Sequence, residues 1–161
     1  MKYKKDYQIP KIEKCWNIIQ TKDNEICYNE GNHTICFYDL LERKVKASIS
    51  NISTRNMIMI TKDLLLITGG DKISIINLNN YKLRIINGPK VYSISGVCML
   101  NQNMLLTGDK EGIIRQWRIE DDNLILVSKK ENAHDRGIND LLNLGNGHIA
   151  SCSDDKTIRI W

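Results

Sequence analysis

Near the end of a 161-residue chain stand five residues with chemistry to offer: His134, Ser151, Ser153, Asp155 and Trp161. A serine hydrolase would need the hydroxyl exposed, the imidazole as its base, the carboxylate behind the imidazole and donors for an oxyanion. No G-x-S-x-G elbow presents either serine. The second chemistry is structural. The carboxylate accepts from an imidazole N–H, the imidazole engages a hydroxyl, and the hydroxyl accepts from the indole N–H. A tetrad of His134, Ser151 (with Ser153 as the alternative), Asp155 and Trp161 would satisfy four buried polar groups at once and pin the register of the segment around them. The sequence favours this structural role, assigns no catalytic residue and reads as that of a protein that is not an enzyme.

Other ligand chemistries find less support. Thr68-Gly-Gly-Asp71 and Thr107-Gly-Asp-Lys-Glu-Gly112 are glycine-rich, but neither is a G-x-x-x-x-G-K-[ST] loop and no helix pattern follows to cradle a phosphate. They read as tight turns. His33, His134 and His148 with the scattered cysteines lack zinc spacing. Cys36 follows His33 by three positions, which on an alternating strand points the two to opposite faces. Neither a metal nor a cofactor is expected.

These residues are held by a pattern that returns along the chain. The closing run Ile158-Arg-Ile-Trp161 has relatives at Ile35-Cys-Phe-Tyr-Asp-Leu40, Ile73-Ser-Ile-Ile-Asn-Leu78 and Ile114-Arg-Gln-Trp-Arg-Ile119. Their closing positions Tyr38, Ile76, Trp117 and Trp161 are 38, 41 and 44 apart. Each run follows an earlier apolar strand (Glu25–Tyr28, Leu64–Thr68, Met104–Thr107, His148–Ser151). Before that come a polar turn and a further strand at Cys15–Ile19, Met57–Ile60, Val97–Leu100 and Ile138–Leu142. Outer strands follow at Lys44–Ser48, Lys82–Ile86 and Leu124–Ser128, and none follows Trp161. Short β-branched strands, a turn every 8 to 12 residues or so and a return at about 40 residues predict an all-β fold, a β-propeller of about four blades of four antiparallel strands with the last blade incomplete. The blades are placed at about 15–50, 51–90, 91–130 and 131–161, after a basic segment at 1–14.

Composition agrees with a globular domain: 42% hydrophobic, 26% charged, 10 Gly and 2 Pro. No apolar run reaches the roughly 18 residues of a membrane span, and no secretory leader is apparent. The five cysteines, odd in number and mostly inside apolar strands, fit a reducing, cytoplasmic (intracellular) setting, with the nucleus also open. On that reading the glycosylation patterns at Asn32-His-Thr34 and Asn51-Ile-Ser53 are coincidental. The net charge of +4 is interspersed except at Lys2, Lys4, Lys5, Lys11 and Lys14, a solvated basic tail. No aromatic-interleaved basic groove points to nucleic acid, and nothing points to a membrane partner. Trp16, Trp117 and Trp161 are expected in the core or between blades. Arg115 and Arg159, at one strand position, are expected between blades or in solvent.

The final repeat resembles the WD-repeat (WD40) family of β-propellers. Ala133-His134 stands in the family's Gly-His place, Asp155 lies six before Trp161, and Ser-Cys-Ser-Asp-Asp-Lys-Thr-Ile-Arg-Ile-Trp161 is a specific run. The third repeat keeps Thr107, Gly108, Arg115 and Trp117, with Glu111 in the Asp place and no His. It would retain only the hydroxyl–indole half, Thr107 with Trp117. The first two are degenerate and are expected to rely on apolar packing, although Asp39 and Asn77 keep the acidic or amide position. The resemblance implies that the tetrad is structural and that loops on one face dock other proteins or peptides. Candidate partner residues are Lys110, Glu111, Asp135, Arg136, Asp154 and Lys156, on a face that also carries Glu30–Asn32, Gly69–Asp71 and Asn87–Lys90. The expected function is a non-enzymatic protein–protein interaction scaffold. A recruiting propeller of a larger kinase or ubiquitin-ligase assembly is the alternative. Four blades are few for a ring that at seven blades needs about 280 residues. A piece of a longer protein, or self-association, is therefore expected.

Overall fold

A computed structural model describes residues 7–9, 14–31, 33–70, 72–86, 93–121 and 123–161. Among them every regular element is a strand, and each strand pairs antiparallel with its neighbours in chain order. The first sheet contains β1 (Ile18–Lys22), β2 (Glu25–Glu30), β3 (Thr34–Asp39) and β4 (Lys44–Ser50). The second contains β5 (Asn56–Thr61), β6 (Leu64–Gly69), β7 (Lys72–Asn77) and β8 (Lys82–Ile86). β9 (Ile94–Asn101), β10 (Met104–Asp109), β11 (Ile114–Glu120) and β12 (Asn123–Lys130) form the third. The fourth has three strands, β13 (Ile138–Gly145), β14 (His148–Ser153) and β15 (Ile158–Ile160).

Packing between sheets explains the burial pattern. A strand with a neighbour on both faces has no solvent side, so it reads as a continuous apolar run rather than an alternation. β6, Leu-Leu-Leu-Ile-Thr-Gly, is buried along its whole length. The outer strand β4 alternates between half-buried and exposed only in its second half. Phe37, Cys27 and Ile35 of the first blade meet Leu65, Ile67 and Ile76 of the second. Leu66 and Ile75 of the second meet Leu105 and Trp117 of the third. Cys98 and Leu106 of the third meet Ile138, Leu141 and Trp161 of the fourth. At the last junction the backbones approach closely: a Cβ on Gly96 would lie 2.9 Å from the Asp140 Cα. Four blades thus stack in an arc that does not close.

Three details differ from the sequence reading. The first inner strand begins at Ile18, so Cys15, Trp16 and Asn17 precede it. Trp16 is 64% exposed rather than in the core, because it lies on the side of the first blade that no described blade faces. The first two blades are also linked by more than apolar packing. Glu25, only 3% exposed, accepts from the Tyr81 hydroxyl and from Thr21 Oγ1, with Lys46 Nζ at 3.6 Å. Lys2, Lys4, Lys5 and Lys11 of the basic segment, and Asn32, Asp71 and Asn87–Lys90 of the predicted face, lie outside the described residues.

Candidate functional site

The tetrad residues come from four separate places in the last repeat. His134 lies in the loop before β13, Ser151 in β14, Asp155 in the turn after it, and Trp161 just past β15. His134 Nδ1 is 2.7 Å from Asp155 Oδ2, and Nε2 is 2.7 Å from Ser151 Oγ. The Trp161 indole N–H donates to Ser151 Oγ at 2.9 Å. One proton arrangement satisfies every partner: Nδ1–H donates to the carboxylate, Nε2 accepts the serine proton, and the serine oxygen accepts from the indole. The alternative serine, Ser153, is engaged elsewhere; its hydroxyl donates to the carbonyls of Arg136 and Gly137.

Asp155 is the hub of the lower half of this network. Partial desolvation works against its ionisation. Hydrogen bonds from Thr157 and His134 and from the backbone N–H groups of Thr157 and Asp135 outweigh that and hold the carboxyl well below the ordinary range. Arg159 Nη2 lies 3.4 Å from the same carboxylate, and Arg159 Nη1 donates to the Ala133 carbonyl at 2.8 Å.

Serine, imidazole and carboxylate are therefore spaced as in a triad, yet they cannot act as one. Ser151 is 1% exposed and His134 2% exposed, and the serine oxygen lies between imidazole and indole. A nucleophile must be reached by a carbonyl carbon beside an oxyanion site, and this hydroxyl is closed off by its own partners. What the arrangement does is hold the loop before β13 against the turn after β14.

The same solution is rebuilt in the third blade with other residues. Trp117 Nε1 donates to Thr107 Oγ1 at 2.8 Å, the hydroxyl–indole half. Glu111, in the family's Asp place, is exposed. Asp109, two positions earlier and fully buried, takes the carboxylate's part instead. Its Oδ1 accepts from the backbone N–H of Glu111 and Ile113, and its Oδ2 pairs with Arg115, itself 7% exposed. The sequence reading passed over Asp109, although an acidic residue after Thr-Gly at the head of a turn was the available signal. It also passed over Asn29, fully buried, whose Oδ1 accepts from the backbone N–H of Trp16 and Asn17.

Above these buried networks the candidate partner residues are brought together. Lys110 and Glu111 sit in the turn between β10 and β11, Asp135 and Arg136 before β13, and Asp154 and Lys156 between β14 and β15; all six are exposed. Backbone contacts weld the three loops. The His134 N–H donates to the Gly112 carbonyl at 3.1 Å, and the Asp154 N–H donates to the Gly137 carbonyl at 3.0 Å. Gly112, at φ +76°, permits the approach: a Cβ there would collide with the His134 carbonyl. The face alternates in charge, and its backbone is set by the residues beneath it.

Comparison with known proteins bears on the same segment. The family model described as "WD domain, G-beta repeat" matches residues 126–161. The WD40 beta propeller domain of Doa1 is similar in structure at TM-score 0.74 and 16% identity, covering 91% of this chain and 50% of that one. The computationally designed Ika4 protein is similar at TM-score 0.71 and 14% identity, over 87% of this chain and 86% of its own. The designed Ika8 protein gives 0.71 and 14%, over 87% of this chain and 43% of that one. At these identities the likeness is one of fold. No curated protein matches the sequence.

Proposed function

We propose that this chain, a run of WD-repeat β-propeller blades, is a non-enzymatic scaffold that docks other proteins through the loop face at Lys110, Glu111, Asp135, Arg136, Asp154 and Lys156. WD-repeat propellers in general serve as interaction scaffolds. The observation that carries the assignment is the union of exposure and rigidity at this face. Six charged side chains of both signs stand in solvent on three loops tied by backbone hydrogen bonds and by a buried tetrad. A pre-set backbone lowers the ordering cost of binding, and interspersed charge selects a partner by complementarity more than by bulk affinity. Burial of the only serine–histidine–aspartate set in the final repeat supports a non-catalytic role.

The test is comparative cross-linking in cells with the native chain and a variant carrying Lys110→Glu and Arg136→Glu. Both positions are exposed, so circular dichroism should be unchanged. The reading expects a defined set of proteins on the native chain and at least a tenfold loss of them on the variant. An identical set on both would remove this face from the function.

A further inference from the structure

We propose that the junction between the first and second blades holds a site for a carboxylate side chain of a partner protein, built around Ser74 and Lys72. It uses none of the six residues assigned to docking at the third and fourth blades.

One position on the third strand recurs in every blade, two before the closing residue. It is Cys36, Ser74, Arg115 and Arg159 in turn, paired across the ladder with Tyr28, Ile67, Thr107 and Ser151. Two residues further along each second strand, and so on the same face, stand Glu30, Gly69, Asp109 and Ser153. In three blades these positions are occupied by side chains with partners. The Cys36 thiol donates to Glu30 Oε2 at 3.5 Å, and Arg115 pairs with Asp109. Arg159 takes the Ala133 carbonyl and the Asp155 carboxylate, while Ser153 donates to the carbonyls of Arg136 and Gly137. The second blade has only glycine and serine here. Ser74 is 4% exposed, and its hydroxyl has no hydrogen-bond partner among the described residues.

A cavity of about 220 Å³ stands beside this shortened pair. Ser74 and Gly69 are buried in its wall, and His33, Asn51, Ser53 and Lys72 form an exposed rim. The side chains of these four rim residues also lack a hydrogen-bond or ion-pair partner among the described residues, and no carboxylate lines the cavity among them. A hydroxyl buried without a partner is costly, so a group that completes its bonding is held there. The donor set names that group. The lysine ammonium has protons to give and no lone pair, and the hydroxyls, amide and imidazole can all donate beside it. Such a set closes around an anionic acceptor and rejects a cation.

The first and third blades identify the acceptor, because each places a carboxylate, Glu30 or Asp109, at the ladder position that Gly69 holds here. The second blade cannot supply its own. A Cβ on Gly69 would collide with the Ser53 carbonyl, so the connection between the blades takes the place of a side chain. The carboxylate therefore arrives from outside, over the exposed rim, and receives charge-assisted hydrogen bonds from Lys72 and the Ser74 hydroxyl.

Amide NMR titration of the full chain at constant ionic strength provides the test, with N-acetylglutamate amide as the probe. The glutamine, arginine and phosphoserine amides serve as comparisons. The expected result is a saturable shift of the Ser53, Gly70, Lys72 and Ser74 amides with the glutamate probe and none with glutamine or arginine. Lys72→Gln and Ser74→Ala should each weaken binding about tenfold, the scale of one hydrogen bond to a charged group. Lys62→Gln removes the same charge at the other end of the second blade and should leave binding unchanged. Unshifted third-blade amides report that each variant is folded; Lys72 is exposed, so Lys72→Gln carries the test should Ser74→Ala unfold. No saturable shift with glutamate, an equal response to glutamine, binding of arginine or of phosphoserine alone, or equal weakening by Lys62→Gln would each overturn the proposal.

Discussion

Ser151 holds the imidazole and the indole of the last blade together with one oxygen, so its loss strands the buried His134 and the half-buried Trp161 N–H. Replacing it by alanine is expected to cost about 1–3 kcal/mol, because an unpaired buried polar group forfeits its hydration without compensation. Urea denaturation followed by tryptophan emission would measure this, and Trp161 reports directly on the lost contact. The carboxylate at the other end of the chain of bonds makes a pH-dependent contribution. The Asp155 carboxyl is held below its ordinary value of 3.8, so the folded state gains from ionised Asp155 above that pH. The gain is lost as pH falls through the depressed folded value. The stability gap between the native chain and Asp155→Asn should therefore be constant near neutrality and shrink in strong acid. A gap that widens on acidification would contradict this assignment of charge.

In the third and fourth blades, different residues solve one problem, the anchoring of the turn between the second and third strands. The fourth blade uses Asp155 with His134; the third uses Asp109 with Arg115. The second arrangement buries an ion pair, which is a costly device unless both partners remain. Asp109→Ala should destabilise the chain by about 3–5 kcal/mol, since it abandons a buried guanidinium and two turn N–H groups. Arg115→Met combined with Asp109→Asn should recover a large part of that loss. A double variant no better than the single one, in the same denaturation assay, would show that Asp109 acts through the turn alone.

Across the molecule, stability rests on three interblade cores joined in series rather than on one centre. Arrays of this kind gain most of their stability from nearest-neighbour interfaces. Leu105 lies fully buried between the second and third blades, and Leu105→Ala is expected to cost about 2–5 kcal/mol. Because the wound is at a junction, amide exchange should quicken in both β6 and β10, while β2 in the first blade is less affected. Faster exchange confined to β10 would mean that the blades open independently.

Blade strands, turns and the four closing positions could be read in the sequence because each is encoded locally: alternation sets the strand, polar residues set the turn, and the repeat multiplies the signal. The tetrad was legible for the same reason, since its members lie within one repeat; Ser151 was the preferred serine in the sequence, and the fold shows what engages Ser153 instead. Partners that belong to different blades were not legible. Nothing in the neighbourhood of Glu25 announces Tyr81, and nothing near Asn17 announces the Arg55 carbonyl; each pair is set by how one sheet stacks on the next. Trp16 looked like a core residue because indole is apolar, but whether it is covered depends on whether a blade stands before it. The chain's local patterning thus determines the blades, while the stacking angle and the two uncovered ends decide which polar groups meet and which apolar ones remain in water.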